Sequence, residues 1–112
     1  VVTASAGHVG TIVFDEIDSG IGGAVADAVG QRLARLSSSV QVLVVTHQPQ
    51  IAARASHHFQ VSKAGRNGKI STRVEKLSHE KRIEEVARML AGARITDEAR
   101  AAADRLILEA ES

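Results

Sequence analysis

The chain has no cysteine, tryptophan or tyrosine, and only one proline, one methionine and two phenylalanines among its 112 residues. Without cysteine there are no disulfides and no thiolate-bound zinc or iron–sulfur centres. A reducing compartment is compatible with that composition. Aromatics amount to 2%, so the core must be built from Val, Ile, Leu and Ala. Stacking of single-stranded bases on aromatic platforms is poorly supported. The formal net charge of +1 lacks the basic excess usual for a compact DNA-binding domain. The apolar runs are far too short to span a bilayer, and no signal-peptide pattern opens the chain. Val1-Val2-Thr3-Ala4 reads as the interior of a longer chain, with no initiator Met, so a fragment is expected.

What is present is ample apolar material, 44% of residues, which excludes a disordered segment. The length fits one domain, residues 1–112, with a real core. Thr11–Phe14 is a short β-branched apolar run and predicts a fully buried strand. Val25, Ala28, Val29, Leu33 and Leu36 recur at helical spacing and predict a helix over Gly23–Leu36. Val40–Thr46 predicts a second buried strand, so the two strands and their helix form a parallel unit with a right-handed crossover. Pro49 suits the first turn of a short helix that ends near Ser56. Phe59–Lys63 and Lys69–Leu77 predict a hairpin around the turn Ala64–Gly68. Ile83, Val86, Ala87 and Leu90 share one face of a helix from Glu80 to Ala91, stopped by Gly92. Thr96 is a candidate N-cap for a last helix, whose buried stripe is Ala99, Ala102, Ala103, Leu106, Ile107 and Ala110.

The chemistry gathers at strand ends. TIVFDEIDSGIGG runs from an apolar strand straight into Asp15, Glu16 and Asp18 and then a glycine-rich turn. Carboxylates so close repel one another unless a counter-charge is held nearby. Thr46-His47-Gln48 follows the second strand. Parallel pairing sends both ends to one edge of the sheet, where ligands of open α/β sheets sit. An apolar strand followed by Asp and Glu is the Walker B pattern. In it the Asp holds Mg²⁺ through water, and the next carboxylate polarises the attacking water. A histidine at the neighbouring strand end can sense a γ-phosphate. Taken singly, acids after a strand also cap helices or meet solvent, and a Thr-His pair also serves as a loop hydrogen bond.

Three elements carry a family resemblance: FDEIDSGIGG, VTHQPQIAA and the following HHFQVSK. Together they resemble the C-terminal part of the RecN family of bacterial DNA repair ATPases, in the SMC-like branch of the ABC ATPases. The resemblance covers nearly the whole chain from Thr11 onward. It implies an α/β fold: the C-terminal lobe of a P-loop ATPase head, with parallel strands, flanking helices and a β-hairpin. It implies Asp15 as the Mg²⁺ residue, Glu16 as the catalytic carboxylate and His47 as the switch histidine, with Gln48 beside the nucleotide. Ser19, Gly20, Gly22 and Gly23 fall in the D-loop that crosses to a second head. The wider ABC pattern there is Ser-Ala-Leu-Asp, and here Gly22 stands at the Asp position. Implied partners are the N-terminal lobe of the same head, a second head in an ATP-dependent homodimer, and DNA, with no membrane. The implied location is cytoplasmic and nucleoid-associated, and the implied role is repair of double-strand breaks.

No G-x-x-x-x-G-K-S/T occurs, and Gly68-Lys69-Ile70-Ser71 has the wrong spacing and context. The Ser-Gly-Gly-Glu signature is also absent. Two other readings stay open: a Mg²⁺-dependent phosphoryl-transfer enzyme using Asp15 and Asp18, and a non-catalytic interaction module with solvated acids. His47, His57, His58 and His79 make a poor joint metal site, because adjacent histidines on a strand point apart. Arg66, Lys69 and Arg73 read as a solvated hairpin face before a phosphate-binding one. Lys81, Arg82, Arg88, Arg94, Arg100 and Arg105 alternate with acids as on an ordinary helix surface. Because the P-loop amides and lysine are missing, the 112-residue chain alone is expected to bind MgATP only weakly. Titration calorimetry showing tight binding would contradict this.

Overall fold

The computed structural model describes residues 10–15 and 22–111. The order is β1 (Thr11–Asp15), α1 (Gly23–Leu36), β2 (Gln41–Val45), α2 (Pro49–Ala52), β3 (Phe59–Arg66), β4 (Lys69–Lys76), α3 (His79–Ala91) and α4 (Asp97–Glu111). β1 and β2 pair in parallel, and β3 and β4 pair antiparallel as a separate two-stranded sheet. The α/β class, the parallel pair with its helices and the hairpin all match the sequence reading.

The main core lies between helices, away from the sheet. Ala52 and Ala53 at the end of α2 meet Val86 and Ala87 of α3 and Ala99, Ala103 and Ile107 of α4, with Ile83, Met89, Ile95 and Leu106 packed around them. Five of these seven buried residues are alanines, which lets the helices approach closely. Val86 and Ile107 are completely buried, and each contributes about 1.5–3 kcal/mol by leaving water. Ser78 caps α3 by accepting the Lys81 amide at 3.3 Å, and Thr96 accepts the Ala99 amide at 3.1 Å. Gly92, at φ 79°, ends α3 as predicted.

The strands differ from expectation. Both were predicted to be buried on two faces, yet burial alternates. Ile12, Phe14, Val42 and Val44 share the covered face, with Ile12 2% exposed. Val13, Leu43 and Val45 share the other, and Val13 and Val45 are each 56% exposed. The sequence is apolar on both faces, but among the described residues only one face is covered. The Cα radius of gyration, 15.2 Å, exceeds the roughly 13 Å expected at this length.

Helix α1 also buries a different face. Ala26 and Gly30 are its buried residues, whereas Val25 and Ala28 are exposed and Val29, Leu33 and Leu36 are half-buried. The reason is close approach to α2: a Cβ on Gly30 would lie 3.1 Å from the Gln50 carbonyl oxygen and 3.2 Å from Arg54 Cγ. Arg54 Nη2 then bonds Asp27 Oδ1 of α1 at 3.3 Å. In α4 the stripe is narrower than predicted: Ala99, Ala103 and Ile107 are buried, while Ala102 is exposed. In the hairpin, the predicted five-residue turn is only Asn67-Gly68. Both have positive φ, 54° and 76°, as a two-residue type I′ turn requires. Ala64, Gly65 and Arg66 therefore continue the ladder opposite Ser71, Ile70 and Lys69.

His58 precedes β3, and its Nδ1 is buried with no hydrogen-bond partner among the described residues. Burial first, then the positive charge of Arg82, lowers its pKa, with Glu85 opposing. A depressed histidine pKa means that the unfolded chain binds the proton more readily. Stability is therefore full above the unfolded value and falls as pH drops through about 6.5. His58→Gln is expected to flatten the loss of stability between about pH 7 and 5, measured by urea denaturation at a series of pH values.

Candidate functional site

The register of the parallel pair builds the site. Asp15, the last residue of β1, lies opposite Val45, the last residue of β2. Thr46, His47 and Gln48 thus emerge at the same edge as Asp15. Asp15 and His47 are exposed, and Thr46 and Gln48 are half-buried. The Gln48 amide donates to Thr46 Oγ1 at 2.9 Å, which turns the chain directly into α2. Gln48 is the N-cap of that helix, and its carbonyl accepts the amides of Ile51 and Ala52 at 3.2 and 3.0 Å. Pro49, buried at the first helical position, needs no amide partner there. His47 is held between a strand and a helix start. Glu16, Asp18, Ser19 and Gly20 lie outside the described residues.

Gly22 and Gly23 mark the start of α1. Gly22 has extended backbone, and its carbonyl accepts the Ala26 amide at 2.9 Å. No side chain caps this end. A Cβ on Gly23 would lie 3.2 Å from Gln50 Nε2, so glycine there leaves room for the Gln50 side chain. Gln50 stands two residues beyond Gln48, and its Oε1 is buried without a partner among the described residues. The structure thus brings together Asp15 with the Thr46–Gln48 segment, and Gly23 with Gln50. Among the described residues no three His, Cys, Asp or Glu side chains gather as a metal cluster. His57 and His58 precede the strand instead of lying on it.

Comparison with known proteins gives a consistent answer. No protein-family model matches the chain. It is 50% identical over 99 residues to the DNA repair protein RecN of Xylella fastidiosa (strain 9a5c), covering 88% of this chain and 18% of the relative. It is 54% identical over 82 residues to the DNA repair protein RecN of Deinococcus radiodurans, covering 73% of this chain and 14% of that one. It is 49% identical over 102 residues to the DNA repair protein RecN of Mycobacterium tuberculosis (strain H37Rv), covering 91% and 17%. This segment belongs to the RecN family. A solved structure from work on ATP-driven dimerisation and DNA-stimulated activation of SMC ATPases superposes with a TM-score of 0.62 at 24% identity, covering 77% of this chain and 51% of that one. That likeness supports the SMC-like head fold. The chain spans less than a fifth of the length of the RecN relatives it matches.

The alternation of charges puts Arg82 of this RecN segment on an ordinary helix surface. Instead its Nη2 donates to the carbonyls of Ala52, Ala53 and Ala55, at 3.1, 2.9 and 2.6 Å. These carbonyls lie where α2 ends, and that of Ala52 also accepts the Ala55 amide at 3.2 Å, so α3 is tied to the helix that begins at Gln48. Burial lowers the Arg82 pKa, while Glu111 opposes. Glu85, three residues on, is buried, accepts Gln60 Nε2 at 2.6 Å and pairs with Arg88, whose Nε lies 3.0 Å from Oε1. For Arg82 the available signal was position, because it flanks the apolar stripe of Ile83, Val86 and Ala87; Glu85 falls nearly opposite that stripe on the helix and gives no such signal. Arg82→Met is expected to lose about 2 kcal/mol, because charge-assisted bonds to buried carbonyls disappear. The melting midpoint followed by circular dichroism should fall by roughly 10 °C.

Proposed function

We propose that this segment is the C-terminal lobe of a RecN-type ATPase head. ATP bound between two heads joins them, and hydrolysis releases them. The carrying observation is the Asp15–Val45 register, because it sets the strand-end acid and the Thr46-His47-Gln48 segment at one sheet edge. In this reading Asp15 and Gln48 bind on the nucleotide side, His47 donates a hydrogen bond to the terminal phosphate, and Glu16 takes the proton of the attacking water. Ser19 to Gly23 form the backbone crossing to the second head, where glycines permit close approach. Asp15 is an exposed oxygen donor without an ion-pair partner among the described residues. That suits Mg²⁺, which takes one or two carboxylates together with phosphate oxygens. When bound, Mg²⁺ would neutralise charge on the phosphates.

The uncovered apolar sheet face of Val13, Leu43 and Val45 would receive the N-terminal lobe, which brings the P-loop. The complete protein would act in the cytoplasm on DNA, in double-strand-break repair. No described helix is long and apolar enough to cross a membrane.

In the full-length protein, Glu16→Gln is expected to lower ATP turnover by roughly 10²-fold or more, as loss of a general base does. ATP-dependent head association, followed by light scattering, should persist. Unchanged turnover would favour an interaction module with solvated acids. Mg²⁺-dependent hydrolysis of small phosphoesters by the isolated chain would favour a different phosphoryl-transfer enzyme.

A further inference from the structure

The β3–β4 hairpin carries charge that the site does not use. Its strands and turn hold five basic residues, Lys63, Arg66, Lys69, Arg73 and Lys76, against one acid, Glu75. That is a net of +4 in a chain whose total is +1. Glu75 is already engaged by Lys81 Nζ at 2.8 Å, and this bond pulls its pKa down. None of the five cations makes an ion pair among the described residues.

The register sorts these residues by face. Phe59, Val61, Lys63 and Gly65 share one face with Ile70, Thr72, Val74 and Lys76. The other face carries Gln60, Ser62, Ala64 and Arg66 opposite Glu75, Arg73, Ser71 and Lys69. This second face has two parts. Its base is fastened to α3 through Gln60–Glu85 and Glu75–Lys81. The Leu77 amide closes the base onto the His58 carbonyl at 2.9 Å. Its outer part, Ser62, Arg66, Lys69, Ser71 and Arg73, is exposed. It contains three cations, two hydroxyls and no acid. The two-residue Asn67-Gly68 turn keeps Arg66 and Lys69 directly paired at the tip, and Arg73 follows four residues along β4.

We propose that this outer face binds the phosphate backbone of duplex DNA. Lys69 and Arg73 are separated by about 13 Å along the strand, which covers about four phosphates of one DNA strand measured along its axis. Arginine, lysine and serine side chains contact phosphate oxygens, and such contacts carry no sequence information. A two-stranded ribbon is also narrow enough to follow a groove of B-form DNA. The absence of aromatics on this face leaves no platform for stacked single-stranded bases. The contact is therefore ionic, independent of sequence and sensitive to salt. The choice of DNA as the polyanion rests on the repair reading above, but the position of the face does not.

The test is DNA affinity of the full-length protein, read by fluorescence anisotropy with a labelled duplex of about 30 base pairs at several salt concentrations. Arg66→Ser/Lys69→Ser/Arg73→Ser is expected to raise Kd at least tenfold. The slope of log affinity against log salt should fall in magnitude by about 2 to 3, one step per lost phosphate contact. Lys63→Ser/Lys76→Ser, on the opposite face, should change Kd less than about threefold by the same accounting of contacts. All five positions are exposed, and basal ATP turnover without DNA should be unchanged in both variants, which checks folding. The proposal is overturned by wild-type affinity and slope in the triple variant, by equal losses in the two variants, or by a wild-type protein with no duplex affinity. Wild-type DNA binding with lost head association in the triple variant would also overturn it and would mark this face as protein-binding. The two readings fail separately: Glu16→Gln decides hydrolysis, and DNA affinity alone decides this face.

Discussion

A single guanidinium sets the geometry of the segment. Arg82 reaches from α3 to three carbonyls at and just beyond the end of α2. Helix α2 is only four residues long, so it has almost no stability of its own. Its position is fixed from outside: by Arg82 and the alanine-lined core at one end, and by the Thr46–Gln48 turn at the other. Gln50 and Ile51 of α2 also carry α1, because Gly30 lies directly against them. The strand edge, the start of α1 and the α3–α4 pair all meet at one short helix, held by Arg82, the alanine-lined core and the Thr46–Gln48 turn.

This arrangement explains why chemistry and core are separated. The tightly packed alanine, valine and isoleucine cluster lies among α2, α3 and α4. The parallel strands that end at Asp15 and Val45 are covered on one face only among the described residues. Asp15 alternates onto the open face with Val13, so the acid stands at the rim of an apolar surface of Val13, Leu43 and Val45. Closing that face would lower the dielectric around the carboxylate and strengthen any charge placed against it.

Element order, helix stops and the edge of the sheet were legible because each rests on local chemistry. Gly92 with positive φ, Thr96 as a cap and Pro49 at a first turn are decisions made within a few residues. The shared edge of Asp15 and Thr46-His47-Gln48 was legible because parallel pairing follows from the crossover. Burial was less so. Hydrophobic pattern identifies apolar strands, but it does not say which of two apolar faces is covered within this chain, as Val13 and Val45 demonstrate. On α1 the larger residues suggested the packed face, whereas the contact with α2 selected the smallest, Ala26 and Gly30. Arg82, Glu85 and Gln50 escaped notice because their roles depend on partners about 25 to 30 positions away, and polar residues carry no periodicity of their own. Glu16 and Ser19 to Gly20, the centre of the motif, lie outside the described residues.

The two sheets differ in how far apart along the chain their partners lie. Arg66 and Lys69 are joined by two residues, whereas Asp15 and Val45 are joined by a helix and its flanks. Closing a short loop takes tens of nanoseconds and a hairpin forms in microseconds, while pairing across a long crossover must first overcome more chain entropy. The hairpin therefore has a shorter route to its native register than the parallel edge. The edge that gathers the chemistry is thus the slower of the two sheets to close.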